Sequence, residues 1–298
     1  MRRLFPVTDQ TAALPPYGAD ANRVPGDTDG RGGPGAADGR EWSLAELAAA
    51  YAYPDTRPGT RPEARPEGEP GGPGPGRRQP WLRANMVSTL DGAAQHDGHS
   101  QPISSAADMR IFGTLRALAD VVVVGAETVR REGYRPARAR GDFAALREAA
   151  GQGPAPAIAV VTAGLELDFT LPLFSSPLVP TLILTGAAAA PDRIAAAEKA
   201  GARVVIAGDG VGVDPVRAVR ALAELGHTRL LTEGGPRLLG QFVASGVLDE
   251  LCLTLSPMLT AGGAQRIAGG PAVTLPERFA LDSVLEEDGF LFSRYRRP

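Results

Sequence analysis

Apolar positions follow two rhythms along residues 81–298. Short, almost unbroken aliphatic runs fall at 121–124, 158–161, 181–184, 203–206 and 229–232. Runs with little polar alternation and frequent β-branching suit strands covered on both faces. Between them, residues 105–118, 143–150, 191–200, 214–225 and 236–245 read as helices. Strand and helix in alternation over this length predict an α/β domain with a mostly parallel sheet flanked by helices on both sides. Residues 83–89 form a further strand that runs into the Asp91-Gly92 turn. Residues 248–256 and 289–296 read as two more strands with no convincing helix between them, which predicts an antiparallel C-terminal edge.

Before residue 81 this rhythm fails. Residues 54–80 hold 14 Pro or Gly among 27 and no large aliphatic side chain. Such a stretch buries too little apolar area to offset the entropy of ordering, so it reads as a partly extended linker. Its prolines at 54, 58, 62, 66 and 70 recur every fourth residue, which fits a low-complexity spacer better than a PxxP ligand. Residues 20–40 are similarly rich in Gly and Asp. Between the two, Ser43 precedes Glu46 by three positions, a capping-box pattern, and Leu44, Leu47 and Tyr51 share one helical face. The expectation is a low-complexity region over 1–80, with a short helix near 43–52 docked on a folded domain over 81–298.

Composition narrows the class of protein. Net charge is −3, from 31 basic and 34 acidic residues that are interleaved, so no nucleic-acid surface is expected. Cys252 is the only cysteine, which leaves no internal disulfide and no multi-cysteine zinc site. No run approaches about 18 apolar residues, and the arginines near the start precede no apolar segment. A cytoplasmic protein without membrane contact is the expectation. His96 and His99 lack a third ligand at metal-site spacing, so no metal is expected. No Gly-x-Gly-x-x-Gly fingerprint follows the first strand, so any dinucleotide is held in another way.

Candidate chemistry gathers where strands end, because an open α/β sheet binds ligands beyond the carboxyl ends of its strands. The run 121–124 ends in Gly125-Ala126 and turns into a short helix, which places Gly125 and Thr128 to touch a cofactor; a tight turn capped by Thr128 would look the same. The run 229–232 ends in Glu233-Gly234-Gly235-Pro236, and Pro236 suits a first helical position. Amides opening that helix can hold a pyrophosphate. Glu233 would repel such an anion, so it is expected to turn away and accept hydroxyl groups, or else to lie in solvent. Asn85, Val87 and Thr89 share one face of the first strand. Asp91 reads equally as a turn residue bonded to its own backbone. Ser104 or Ser105 caps the helix over 105–118 and leaves Asp108 in its first turns, where the helix dipole favours the charged form. Arg116, two turns on, falls roughly on the same face and could grip a phosphate; both also read as solvated helix charges.

Taken in order, these motifs resemble the reductase domain of riboflavin biosynthesis, whose architecture is that of dihydrofolate reductase. The resemblance runs from about Trp81 to Arg296, and residues 249–254 and 286–291 are similar to single-domain actinobacterial members. It implies a dihydrofolate-reductase-like mixed sheet, mostly parallel, in a homodimer paired through its C-terminal strands. It implies NADPH as hydride donor and a pyrimidine ribosylamine 5′-phosphate, ring-opened and reduced to a ribityl chain. Cofactor contacts then fall on Thr128, Glu132, Thr162 and the stretch 235–241 (Gly235, Pro236, Arg237, Leu238 and Leu239 among them), joined by Gly125, Ala126 and Gly234 at the strand ends. Substrate contacts fall on Ser100, Arg116, Glu233 and Asn85, the last where many members have lysine. Asp108 takes the place of the carboxylate that holds a heterocycle or relays a proton.

Three departures qualify the resemblance. Members often carry arginine after the Thr162 position to meet the 2′-phosphate of NADPH, but this chain has Ala163-Gly164, so Arg130, Arg131 or Arg193 would have to serve. Pro102 replaces a residue often bulky in bifunctional relatives. The zinc motif of the deaminase half, His-x-Glu with Pro-Cys-x-x-Cys, has no counterpart here, which excludes deamination. The alternative readings are a pterin reductase acting through Asp108 and a non-catalytic nucleotide-binding protein.

Overall fold

The computed structural model describes residues 1–6, 41–55 and 79–298; the low-complexity stretch at 20–40 and nearly all of the linker at 54–80 lie outside them. In chain order the elements are β1 (Arg2–Phe5), α1 (Leu44–Ala50), β2 (Trp81–Thr89), α2 (Ala106–Leu118), β3 (Val121–Gly125), α3 (Ala126–Arg131), α4 (Ala144–Ala149), β4 (Ala157–Val161), α5 (Pro172–Ser175), β5 (Leu182–Thr185), α6 (Pro191–Lys199), β6 (Arg203–Ile206), α7 (Pro215–Glu224), β7 (Arg229–Thr232), α8 (Pro236–Ala244), β8 (Glu250–Ser256), β9 (Ala280–Glu287) and β10 (Phe290–Arg296).

The strands join one ten-stranded sheet in the order β1-β9-β10-β8-β2-β7-β3-β4-β5-β6. From β6 across to β8 every pairing is parallel, and β10, β9 and β1 then add in antiparallel fashion. This is the mixed, mostly parallel sheet with antiparallel edge that the pattern predicts. β8 itself, however, pairs parallel with β2, and the antiparallel part includes two strands that the pattern did not reveal, β9 and β1. Helices cover both faces. Val122 and Val124 enter one apolar layer with Ile111, Leu115 and Ile183, while Val121 and Val123 enter the other with Leu82, Leu230 and Phe242. The unbroken valine run of β3 thus serves both layers at once, each side chain contributing about 1.5–3 kcal/mol of transfer free energy.

Segments before residue 81 belong to this core. The capping box of α1 forms as expected: Ser43 Oγ accepts from the Glu46 amide at 3.2 Å, and Glu46 Oε2 accepts from the Ser43 amide at 2.9 Å. Leu47, Ala48 and Tyr51 are buried in the layer that also holds Ile111 and Leu115 of α2. The carbonyls that α1 leaves unpaired at its end are taken by two buried arginines. Arg83 Nη1 donates to Tyr51 O at 2.8 Å, and Arg294 Nη1 and Nη2 donate to Ala50 O and Ala52 O at 2.6 and 3.0 Å. Glu250 sits between the two guanidiniums, 2.5 Å from Arg294 Nε and 2.9 Å from Arg83 Nε. Burial by itself raises the Glu250 carboxyl, but Arg83 and then Arg294 overcome it and bring it down to about 2. Ions so deeply buried persist only when paired in this way.

Candidate active site

β7 lies between β2 and β3, so the connections leaving β2, β3 and β7 open at one end of the sheet. A cleft of about 1240 Å³ lies there, as the rule for parallel sheets requires. Asn85, Ser100, Asp108, Arg116 and Glu233 line one half of it. Gly125, Ala126, Thr128, Glu132, Thr162, Gly235, Pro236, Arg237 and Leu238 line the rest.

Three of the expected cofactor positions, Gly234, Leu239 and the buried Gly240, fall outside the lining. Leu239 is 1% exposed and packs in the apolar layer with Phe242, because the turn of α8 that presents Leu238 to the cleft carries its neighbour inward. Gly234 lies behind Gly235 and works through its backbone: its carbonyl accepts from the Gly125 amide at 2.9 Å. Its φ of +82° is a left-handed conformation suited to glycine, and the Gly234–Gly235 peptide is cis. A Cβ on Gly235 would stand 2.8 Å from Thr128 Oγ1. The turn into α8 therefore touches the turn into α3 with no space for a side chain. Neither Gly235 nor Gly125, the residues preceding these helices, supplies a side-chain cap. First-turn amides of α8 are left for a ligand, and this narrow glycine cradle fits the diphosphate of a nicotinamide dinucleotide.

Asp108 is 7% exposed. Its Oδ2 accepts from Ser104 Oγ and its Oδ1 from Thr254 Oγ1, both at 2.6 Å, while its amide is capped by Ser105 Oγ at 3.1 Å. Burial raises its carboxyl, and the two hydroxyl bonds offset only part of the rise. The expectation of a dipole-favoured charge is thus corrected: desolvation between α2 and β8 outweighs the helix start. Thr254 escaped the sequence reading because it sits on a strand far along the chain, with no local pattern to mark it.

Arg116 and Glu233 differ most from their expected environments. Arg116 Nε and Nη2 grip both carboxylate oxygens of Glu233 at 2.6 Å each, so its fork is occupied and Glu233 is neither solvated nor left to repel an anion. The Arg116 guanidinium lies 4.4 Å from the Phe112 ring and 5.0 Å from that of Tyr134. The Tyr134 hydroxyl accepts from Arg116 Nη2 at 2.6 Å and donates to Glu233 Oε2. Burial, then Glu233, pushes that hydroxyl well above its ordinary range, so it remains a donor. Tyr134 was missed because a lone tyrosine after a short helix has no distinguishing spacing.

The remaining candidates sort by geometry. Thr162 Oγ1 accepts from the Leu165 amide at 3.0 Å and shapes the turn after β4. Thr89 is buried and donates to Asp91, whose other oxygen accepts from the Thr260 and Ala261 amides at 3.1 and 2.6 Å; Asp91 is a turn residue. His99 Nδ1 stands 3.7 Å from Glu132 Oε2. Among the described residues, no group of three or more His, Cys, Asp or Glu could hold a metal ion, and no helix is long and apolar enough to cross a membrane.

A cleft of this kind, with its glycine cradle and buried carboxylate, is that of an α/β oxidoreductase built around a nicotinamide cofactor. More narrowly, residues 80–285 match the RibD C-terminal domain, and the chain belongs to that family. It is 31% identical over 186 residues to the 2,5-diamino-6-ribosylamino-4(3H)-pyrimidinone 5′-phosphate reductase of Methanothermobacter thermautotrophicus, covering 62% of this chain and 81% of that protein. The reductase of the same name from Archaeoglobus fulgidus is 25% identical over 185 residues, 62% of this chain and 83% of that one. Among solved structures, a pyrimidine reductase-like protein of Corynebacterium diphtheriae is similar with a TM-score of 0.65 at 27% identity, over 73% of this chain and 91% of that chain. RibD of Acinetobacter baumannii shares the fold, with a TM-score of 0.59 at 17% identity over 74% of this chain and 58% of its own.

Proposed function

We propose that this chain uses NADPH to reduce a ribosylaminopyrimidine 5′-phosphate to its ribitylamino form, as in riboflavin biosynthesis. The observation that carries the reading is the pairing of two unlike cleft halves: a glycine cradle at the start of α8, and a polar wall in which Asp108 and the Arg116-held Glu233 border one space. The names of the relatives supply the substrate class.

When bound, the reduced nicotinamide supplies a hydride; the chain's own groups do the rest. The amides of Gly235 and Arg237 would hold the diphosphate at the start of α8, with Pro236 setting the first helical turn and Thr128 across from them. Gly125 and Ala126 leave room for a flat ring beside β3. On the other side, Met109 and Phe112 offer an apolar wall for a heterocycle whose polar edge meets Asp108. The raised carboxyl of Asp108 keeps a proton available at its Oδ atoms closer to neutral pH than an exposed aspartate would. Arg116 fixes Glu233 in place, so its remaining lone pairs can accept sugar hydroxyls, and Ser100 and Asn85 orient the chain of the opened sugar. Placement of two reactants is the main demand on the protein in hydride chemistry. A homodimer in the cytoplasm belongs to the same proposal.

Steady-state rates of NADPH oxidation test the reading with three substrates: the ribosylaminopyrimidine 5′-phosphate, its dephosphorylated form and dihydrofolate. The phosphorylated pyrimidine is expected to be turned over best, with the ribityl compound as product. Preference for dihydrofolate would transfer the assignment to pterin reduction, and cofactor binding without oxidation of any substrate mixture would point to a non-catalytic protein.

A further inference from the structure

We propose that Arg130, with Arg131 beside it, forms the 2′-phosphate site of the cleft and that Glu127 sets how strongly the phosphate is preferred; this rests on the dinucleotide reading above. Strand order gives the cleft a direction. Asp108 and Glu233 border the end near β2 and β7, whereas Thr162, Glu166 and Val213, beyond the ends of β4 and β6, border the other. A dinucleotide with its diphosphate at the start of α8 and its reactive ring toward Asp108 carries its adenosine ribose to the turn after β4.

That turn has no cation of its own, since Ala163 and Gly164 occupy it. Arg193 supports it from outside the cleft lining: its Nη2 donates to Leu165 O at 2.5 Å, and its guanidinium lies 5.6 Å from the Phe169 ring. Arg130 reaches the same turn from within the cleft. Its Nη1 donates to Glu166 O at 2.8 Å and its Nη2 to Glu127 Oε2 at 2.7 Å, while Arg131 Nε donates to Glu127 Oε1 at 2.7 Å. One carboxylate is thus shared by two cleft-lining guanidiniums, with side chains 44%, 54% and 60% exposed for Arg130, Arg131 and Glu127. Exposed ion pairs of this sort are weakly held. A phosphate dianion brings more charge and three acceptor oxygens to the same donors, and so displaces the carboxylate. Without a phosphate Glu127 stays in place, and an acid near the ribose can accept the 2′-hydroxyl, which admits NADH as a weaker ligand.

Calorimetric titration of the full chain with NADPH, NADH, 2′-phospho-AMP and AMP tests this. In R130A, NADPH and 2′-phospho-AMP are expected to weaken about tenfold while NADH and AMP change less than about twofold. In E127Q, the ratio of NADPH to NADH affinity is expected to rise severalfold, and in the native chain it should fall as salt is added. Equal loss of both dinucleotides in R130A, no loss of either, or an unchanged ratio in E127Q overturns the assignment. A native chain that binds neither dinucleotide removes the proposed function itself, which is distinct from binding that ignores Arg130. Melting curves of both variants are expected to match that of the native chain, since both side chains are exposed.

Discussion

Asp108 is held in a cleft wall that favours its neutral form, and this gives it opposite effects on stability and on chemistry. With its folded value raised above the ordinary 3.8, the group adds stability below that value and loses it as pH rises through the raised one. Asn in its place carries no charge to desolvate and can still bond the Ser104 and Thr254 hydroxyls. D108N is therefore expected to melt higher than the native chain at pH 7, with the gain shrinking toward pH 4, while turnover falls about 100-fold or more. A variant that melts lower at pH 7, or that keeps full turnover, contradicts this role. Arg116 is read by a conservative change: lysine preserves charge but has no fork, so R116K is expected to lose about tenfold or more in kcat/KM. Unchanged kinetics would show that charge alone suffices. Of this wall, Asp108 and Glu233 were legible from a helix-start and a strand-end pattern, and Arg116 from its spacing two turns after Asp108 on one helical face. That Arg116 and Glu233 bind each other was not, since nothing in linear spacing links residues on α2 and after β7.

Between elements, contact is made by backbone where side chains would not fit. A Cβ on Gly235 would meet Thr128 Oγ1 at 2.8 Å, so in G235A the Thr128 side chain or the start of α8 must shift, and the added methyl stands in the cradle itself. Its expected effect is a loss of dinucleotide affinity of about tenfold or more with a small change in melting temperature, because the cradle lies at the cleft rather than in the apolar layers. Normal affinity in a folded G235A chain would place the diphosphate elsewhere. The parallel strands and their helices were readable from pattern alone, since strands buried on both faces leave no polar alternation to confuse them. β9 was not readable: its sequence, Ala-Leu-Asp-Ser-Val-Leu-Glu-Glu, mixes charge with apolar residues because much of the strand is only partly covered. β1 escaped for a different reason, being a short strand whose partner lies at the far end of the chain.

Across the whole molecule, the buried Arg83–Glu250–Arg294 cluster ties the end of α1 to the sheet. Glu250 has its carboxyl lowered from 4.5 to about 2, so the stability it contributes is complete above 4.5 and is lost as pH falls toward 2. E250A would leave the buried Arg83 guanidinium without its carboxylate and Arg294 with only Asp282, 3.4 Å from its Nη1, and is expected to cost about 3–5 kcal/mol, read from denaturant melts. A cost below about 1 kcal/mol would mean that water or other groups replace the pair. Segments on both sides of residue 81 meet in the fold: α1 packs in the apolar layer with α2, and β1 pairs with β9 at the edge of the sheet. Light scattering should return twice the chain mass if the proposed homodimer forms; a single-chain mass contradicts it. The central claim is that a reduced nicotinamide dinucleotide lies across the strand ends with its diphosphate at the start of α8. Hydrogen exchange of the native chain with and without saturating NADPH tests it most directly. Slowed exchange is expected at 125–132 and 235–241, with β9 and β10 unaffected, whereas unchanged exchange at both cleft segments, or protection confined to another surface, would contradict it.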